Sequence, residues 1–315
     1  MAFSVSAEER DNSLVITLTD DSSKCKAEIY SFGALLNKFS IPVGAETVNV
    51  IDGFTSPADA HENIVNGFKS TKLSPFVCRL TNGEYNFNGS SYKIDKFYMG
   101  NSAIHGLLFD QPFAVKEEAA DNDKAFVVLS YQYNKTNEGF PFPFEIEVIY
   151  TLTANNNLTL TTKVTNTGNT DMPLSDGWHP YFTLSNSVDD LVMQFNSKRM
   201  VEFDDTLVPT GNYLPYDRFN EMRKFGDTFL DNCFELNETG ANACTLRDAG
   251  TGLQLNIIPS GAYPYLQIYT PPHRKSIAIE NLSSLPDAFN NGMGLIIAEH
   301  DTQYIFTTTY QLVVG

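Results

Sequence analysis

Apolar and polar residues alternate along much of this chain. Phe144, Ile146, Val148, Tyr150 and Leu152 alternate with Glu145, Glu147 and Thr151. The polar run Asn155-Asn156-Asn157 follows, and then Leu158, Leu160, Thr162 and Val164 take up the same rhythm. A period of two is that of a strand with one face buried, so this stretch predicts a long hairpin. Phe126-Val127-Val128-Leu129 predicts a strand leading into it. Glu84 to Phe87 and Tyr92 to Ile94 flank an Asn88-Gly89 pair, which predicts a tight hairpin. Leu253–Ile258, Tyr265–Tyr269 and Tyr304–Leu312 predict three further strands. No segment repeats apolar residues at helical spacing for long. Many strands separated by turn clusters imply an all-β chain, a large antiparallel β-sandwich or barrel. No linker, repeat or low-complexity tract divides residues 1–315, so a single domain is expected.

The net charge of −17 changes the picture of partners more than that of the fold. It argues against nucleic acid and favours a neutral small molecule over a polyanion. No apolar stretch approaches membrane-spanning length, so no membrane partner is expected. Cys25, Cys78, Cys233 and Cys244 form no CxxC pair, and no histidine lies at zinc-site spacing from them. Scattered reduced thiols are expected, with no metal. The first residues, Met1 to Glu9, carry neither a basic start nor an apolar run. The expected location is cytoplasmic.

Five residues are candidates for chemistry. His179 lies in Ser175-Asp176-Gly177-Trp178-His179-Pro180-Tyr181-Phe182. The following proline favours extended backbone at His179, so Trp178 and His179 point to opposite faces. If Trp178 enters the core, His179 faces a ligand, and imidazole exchanges protons near neutral pH. Glu280 ends the apolar run Ser276-Ile277-Ala278-Ile279 ahead of a turn-rich segment. Burial there would raise its pKa toward that of a useful base, or it serves as a cap or in an ion pair. Arg79 follows the apolar Pro75-Phe76-Val77-Cys78 and must find a salt-bridge partner or reach a cleft. His105, before Gly106, is either a core histidine or a ligand contact. Asp231, beside Asn232-Cys233-Phe234, either caps a turn or binds hydroxyls next to an aromatic platform.

Taken in order, these segments resemble the aldose 1-epimerase (galactose mutarotase) family. The resemblance runs from Pro75–Gly83 through Ile104-His105-Gly106, the Phe144–Thr167 hairpin and Trp178–Phe182. It ends with Asp231–Phe234 and Ile279-Glu280 through Pro286–Asn290. It implies a galactose mutarotase-like supersandwich with a sugar cleft on a concave face. It implies Glu280 as general base on the anomeric hydroxyl and His179 as general acid at the ring oxygen. Arg79, His105 and Asp231 would bind and orient the sugar, and no metal or organic cofactor would be needed. The substrate would be a free aldose and the protein a monomer or homodimer. Three positions depart from the common pattern. Cys78 replaces an asparagine before the arginine, Leu107 replaces a second glycine after the histidine, and Leu282 replaces a glutamine after the glutamate. These departures point to a broader branch than one restricted to galactose. One branch of the family acts on hexose 6-phosphates through basic residues, and Lys69 and Lys72 lie upstream of Arg79. Two other functions compete: a noncatalytic carbohydrate-binding sandwich, and a glycoside hydrolase built on Asp231 and Glu280. Binding alone needs no acid–base pair, and hydrolysis leaves His179 without a role.

Overall fold

The computed structural model describes residues 2–197, 199–237 and 240–315. The strand pattern of the sequence is carried into the fold almost residue by residue at its centre. In Phe144–Thr153 and Asn157–Asn166 buried positions alternate without a break, and Tyr150 lies opposite Leu160. Asn155 and Asn156 make the turn at φ of 62° and 55°, a conformation asparagine tolerates better than most side chains. The Asn88-Gly89 turn likewise has both residues at positive φ, 49° and 79°, and joins Glu84–Phe87 to Ser90–Lys93. That geometry matches the right-handed twist of the flanking strands.

The architecture is an antiparallel β-sandwich. One sheet has nine strands. From Ala114–Ala120 at one edge it passes through Lys124–Tyr133 and the two strands of the long hairpin, then Gln303–Val313, Gln254–Pro259 and Cys244–Asp248, to Leu191–Phe195 and Arg223–Lys224. The facing sheet runs from Pro209–Pro215 through Arg199–Phe203, Asp231–Glu235, Tyr265–Tyr269, Ile277–Leu282 and Gly177–His179 to Thr71–Leu73. The two meet where Tyr150 packs edge-on to Trp178 at 6.1 Å and Thr308 donates to Asn281 Oδ1 at 2.9 Å. A five-stranded meander, Phe3–Arg10 to Glu46–Asn49, flanks them. The sequence pattern had suggested no strand there. Tyr150 Oη donates to Ala34 O at 2.7 Å and ties the meander to the nine-stranded sheet. The largest cluster of buried apolar side chains draws on residues from Phe3 to Leu312. Each large aliphatic or phenyl group in it contributes ~1.5–3 kcal/mol by leaving water. Among the described residues, helix is confined to Pro57–Asn63, Ala288–Asn291 and two short 3-10 turns. Among the described residues, no helix is long and apolar enough to cross a membrane. The four cysteines are buried and unpaired.

Candidate active site

The strand Gly177–His179 lies between Thr71–Leu73 and Ile277–Leu282. Alternation sends Trp178 inward, where it is 2% exposed, and sends His179 to the opposite face, into a cleft. Glu280 does not end its strand as expected. The strand continues to Leu282 because Asn281 and Leu282 pair with Leu266 and Tyr265. Glu280 therefore projects from mid-sheet, opposite Gln267. Asp231 opens the next strand but one, opposite Tyr269, rather than capping a turn. Arg79 lies in a separate three-stranded sheet, where it pairs with Ile104, and His105 directly follows that partner strand.

The chain turns sharply where these two residues enter. Cys78 and His105 have φ of 50° and 63°, and His105 N donates to Cys78 O at 2.8 Å. Gly106, at φ 79°, has room for no side chain, since a Cβ there would meet Ser74 O at 2.3 Å. The glycine after the histidine thus serves a close backbone approach.

All five side chains line one cleft of about 370 Å³. His179 Nε2 lies 3.3 Å from Glu280 Oε1. Both groups are buried, and no lysine or arginine pairs with Glu280 among the described residues. Burial, helped by the nearby Asp231 anion, pushes the Glu280 carboxyl well above its usual range. Burial pulls His179 down to about 4. Burial thus favours the neutral form of each group, the protonated carboxyl and the uncharged imidazole. His105 is pulled down by burial, by His179 and by Arg79. Its ring stands edge-on to His179 at 4.9 Å and lies 4.6 Å from Phe68. Tyr181 stacks on His179 at 5.0 Å. Asp231 is raised by burial, against the pull of Arg79 and of Gln267 Nε2, which donates to it at 3.0 Å. Arg79 makes no salt bridge among the described residues. Its Nη2 lies 3.8 Å from Met99 Sδ at the rim. Cys78 Sγ lies 4.0 Å from Glu280 Oε2.

The sequence reasoning missed Gln267, whose Oε1 is buried without a protein partner. The signal was available: alternation in Tyr265–Tyr269 puts Tyr265, Gln267 and Tyr269 on the face away from Leu266 and Ile268. The upstream lysines do not reach the cleft. Lys72 lies opposite Trp178 and points into the core, where it is fully buried against Asp176. Lys69 pairs with Asp52 at 2.7 Å. Among the described residues, no group of three or more His, Cys, Asp or Glu is placed to hold a metal.

The chain is similar to known proteins over nearly its whole length. The family model described as Aldose 1-epimerase matches residues 14–311. An uncharacterized protein of Escherichia coli K12, YihR, is 26% identical over 234 residues, covering 72% of this chain and 73% of the relative. Among solved structures, a galactose mutarotase-like protein from Clostridium acetobutylicum superposes with a TM-score of 0.87 at 18% identity, covering 100% of this chain and 99% of that one. The galactose 1-epimerase of Lactobacillus acidophilus gives a TM-score of 0.83 at 19% identity, with 99% of each chain covered. At these identities the structural likeness establishes the galactose mutarotase-like fold. The family model, spanning almost all of the strands and every residue of the cleft, establishes more: the chain belongs to the aldose 1-epimerase family.

Proposed function

We propose that the chain is a mutarotase acting on a free, uncharged aldose, with Glu280 and His179 as its acid–base pair. The observation that carries this is the 3.3 Å approach of His179 Nε2 to Glu280 Oε1 within a mostly buried cleft. Interconverting anomers requires a proton to leave the C1 hydroxyl and another to reach the ring oxygen. The C1–O bond of the ring then breaks, the aldehyde turns about C1–C2, and the ring closes on its other face. With His179 protonated and Glu280 ionised, Glu280 takes the hydroxyl proton while His179 protonates the ring oxygen. After opening, the proton sits on Glu280 and the imidazole is neutral. This is the distribution that burial favours in the free site, so closing starts from a state the protein already stabilises. Neither group acts as a nucleophile.

Arg79, His105 and Asp231 bind and orient the hydroxyls. Asp231 is held by Gln267 and accepts from sugar hydroxyls, and Arg79 offers its planar fork. The apolar faces of the ring meet Phe68, Tyr181 and Tyr269. A hexose 6-phosphate is disfavoured because Lys72 is buried and Lys69 is already paired. The whole chain is taken to act as a single domain, since one core cluster reaches from Phe3 to Leu312.

The test is polarimetry of freshly dissolved α-glucose and α-galactose, with glucose 6-phosphate alongside, each with and without chelator. Optical equilibrium is expected sooner with protein for a free aldose, and chelator should make no difference. Binding without acceleration of any aldose would favour the noncatalytic sandwich. Release of reducing sugar from a glycoside would favour hydrolysis.

A further inference from the structure

Beneath the cleft floor, on the core side of the same strands, lies a buried charged cluster that the reaction does not touch. Lys72 Nζ donates to Asp176 Oδ1 at 2.5 Å and to Gly177 O at 3.0 Å. It also sits 4.4 Å over the Trp178 ring. Tyr263 Oη donates to the same Asp176 oxygen at 2.6 Å. Lys72 and Asp176 are both fully buried. A lysine in a sandwich core is expensive, and replacing such a pair with apolar side chains commonly leaves stability unchanged or raised. Stability alone therefore does not account for it.

Its position suggests what does. Asp176 lies three residues before His179, and Ser283 lies three residues after Glu280. Asp176 N donates to Ser283 Oγ at 2.8 Å, and Ser283 N donates to Asp176 O at 2.9 Å. The main chain of Asp176 thus joins the segment of the acid to that of the base, and its carboxylate ties Lys72 and Tyr263 to this junction. Lys72 brings in the third strand, in which Thr71 is the register partner of His179. Tyr263 brings in a fourth element, ahead of the strand that carries Gln267, and its ring packs 5.7 Å from Phe306 of the opposite sheet. Apolar packing is non-directional. Charged hydrogen bonds have fixed lengths and angles, and they allow these strands one arrangement.

We propose that Lys72, Asp176 and Tyr263 are positioning residues that set the separation of His179 and Glu280 from behind. The idea rests on the mutarotase function proposed above, and it concerns residues that never meet the sugar. Misplacing reacting groups by about 1 Å costs up to a hundredfold in rate. The cluster should therefore act on kcat far more than on sugar affinity.

The decisive variant is Lys72→Met with Asp176→Leu, because removing one partner alone would strand a buried charge. It is compared with Tyr263→Phe, which removes only a hydroxyl. Three readouts are taken on the full chain: thermal midpoint, kcat and KM for mutarotation of α-glucose and α-galactose, and the NMR titration of the His179 ring. The double variant should fold with an unchanged or higher midpoint and show KM within about threefold of the parent. Its kcat should fall about tenfold or more, with a displaced His179 titration. Tyr263→Phe should move the same quantities in the same direction by less. A folded double variant with parental kcat and parental His179 titration would overturn the proposal. If the double variant does not fold, the same readouts on Tyr263→Phe decide. A parent protein that accelerates no aldose would overturn the assigned reaction instead, and the His179 titration would still test the positioning role.

Discussion

Glu280→Gln should slow the enzyme and stabilise it, and the stabilisation should grow with pH. The carboxyl is buried, so solvent screening is small. Its folded pKa lies well above the ordinary 4.5. Between those values the folded protein holds a proton that the unfolded chain has released. Its contribution is complete below pH 4.5 and is lost as pH rises, by about 1.4 kcal/mol per unit. His179 acts in the opposite sense. Its pKa falls from 6.5 to about 4 on folding, so its contribution is lost as pH falls from 6.5 toward 4. Above pH 4.5 the two contributions therefore oppose each other as pH changes. Glutamine keeps the shape and cannot titrate, so it removes only the loss at high pH. Subtracting the two stability curves cancels the other titrating groups. The advantage of the variant should therefore grow as pH rises above 4.5. Urea denaturation at several pH values measures this. Polarimetry on the same samples should show kcat lower by about a hundredfold or more, the usual scale for losing a general base. Parallel stability curves would refute the raised carboxyl. Near-parental turnover would refute Glu280 as the base and move attention to Asp231 and Asp287.

Other outcomes follow from the same geometry. Gly106→Ala places a Cβ 2.3 Å from Ser74 O at φ 79°. Left-handed backbone alone costs ~1–2 kcal/mol for an alanine, so urea denaturation should show a loss of at least about 2 kcal/mol together with reduced activity as His105 moves. Arg79→Ala and Asp231→Asn should raise KM about tenfold or more, the scale of a lost hydrogen bond to a charged group, and an unchanged KM would remove them from the binding set. The native protein should react slowly with a thiol-specific chromogenic reagent and release four thiols on denaturation. Burial pushes Cys25 up to about 12, and burial beside Glu280 raises Cys78. Rapid modification of Cys78 would show the cleft floor to be more open than this.

The parts of the fold that were legible are those where periodicity and turn chemistry agree. The Phe144–Thr153 hairpin needed both its strict alternation and an asparagine turn able to take positive φ. The Asn88-Gly89 hairpin needed only the turn. The N-terminal meander was not drawn from the pattern, although Ser13–Asp20 buries most of its residues. The extent of the Glu280 strand was misjudged for a related reason. Asn281 is a turn-former by composition, yet it is fully buried in the sheet, where Thr308 of the facing sheet donates to its side chain. Tertiary partners overrode local preference.

The site shows the same division. Trp178 and His179 were separable because one proline and a period of two decide which way each points. Nothing local distinguishes Lys72 from a surface lysine. Its placement depends on Asp176, distant in sequence and brought close only by strand order. Gln267 was hidden for the opposite reason, since its neighbours Leu266 and Ile268 explain the strand without it. Both cases turn on which face of the sheet a residue occupies. One face of these strands carries Glu280, His179 and Gln267 toward the cleft, while Lys72, Asp176 and Trp178 lie behind it. A substitution on the hidden face can therefore reach the chemistry without entering the cleft. Recognising such a residue from sequence requires the register of at least two neighbouring strands, which the pattern of a single strand does not contain.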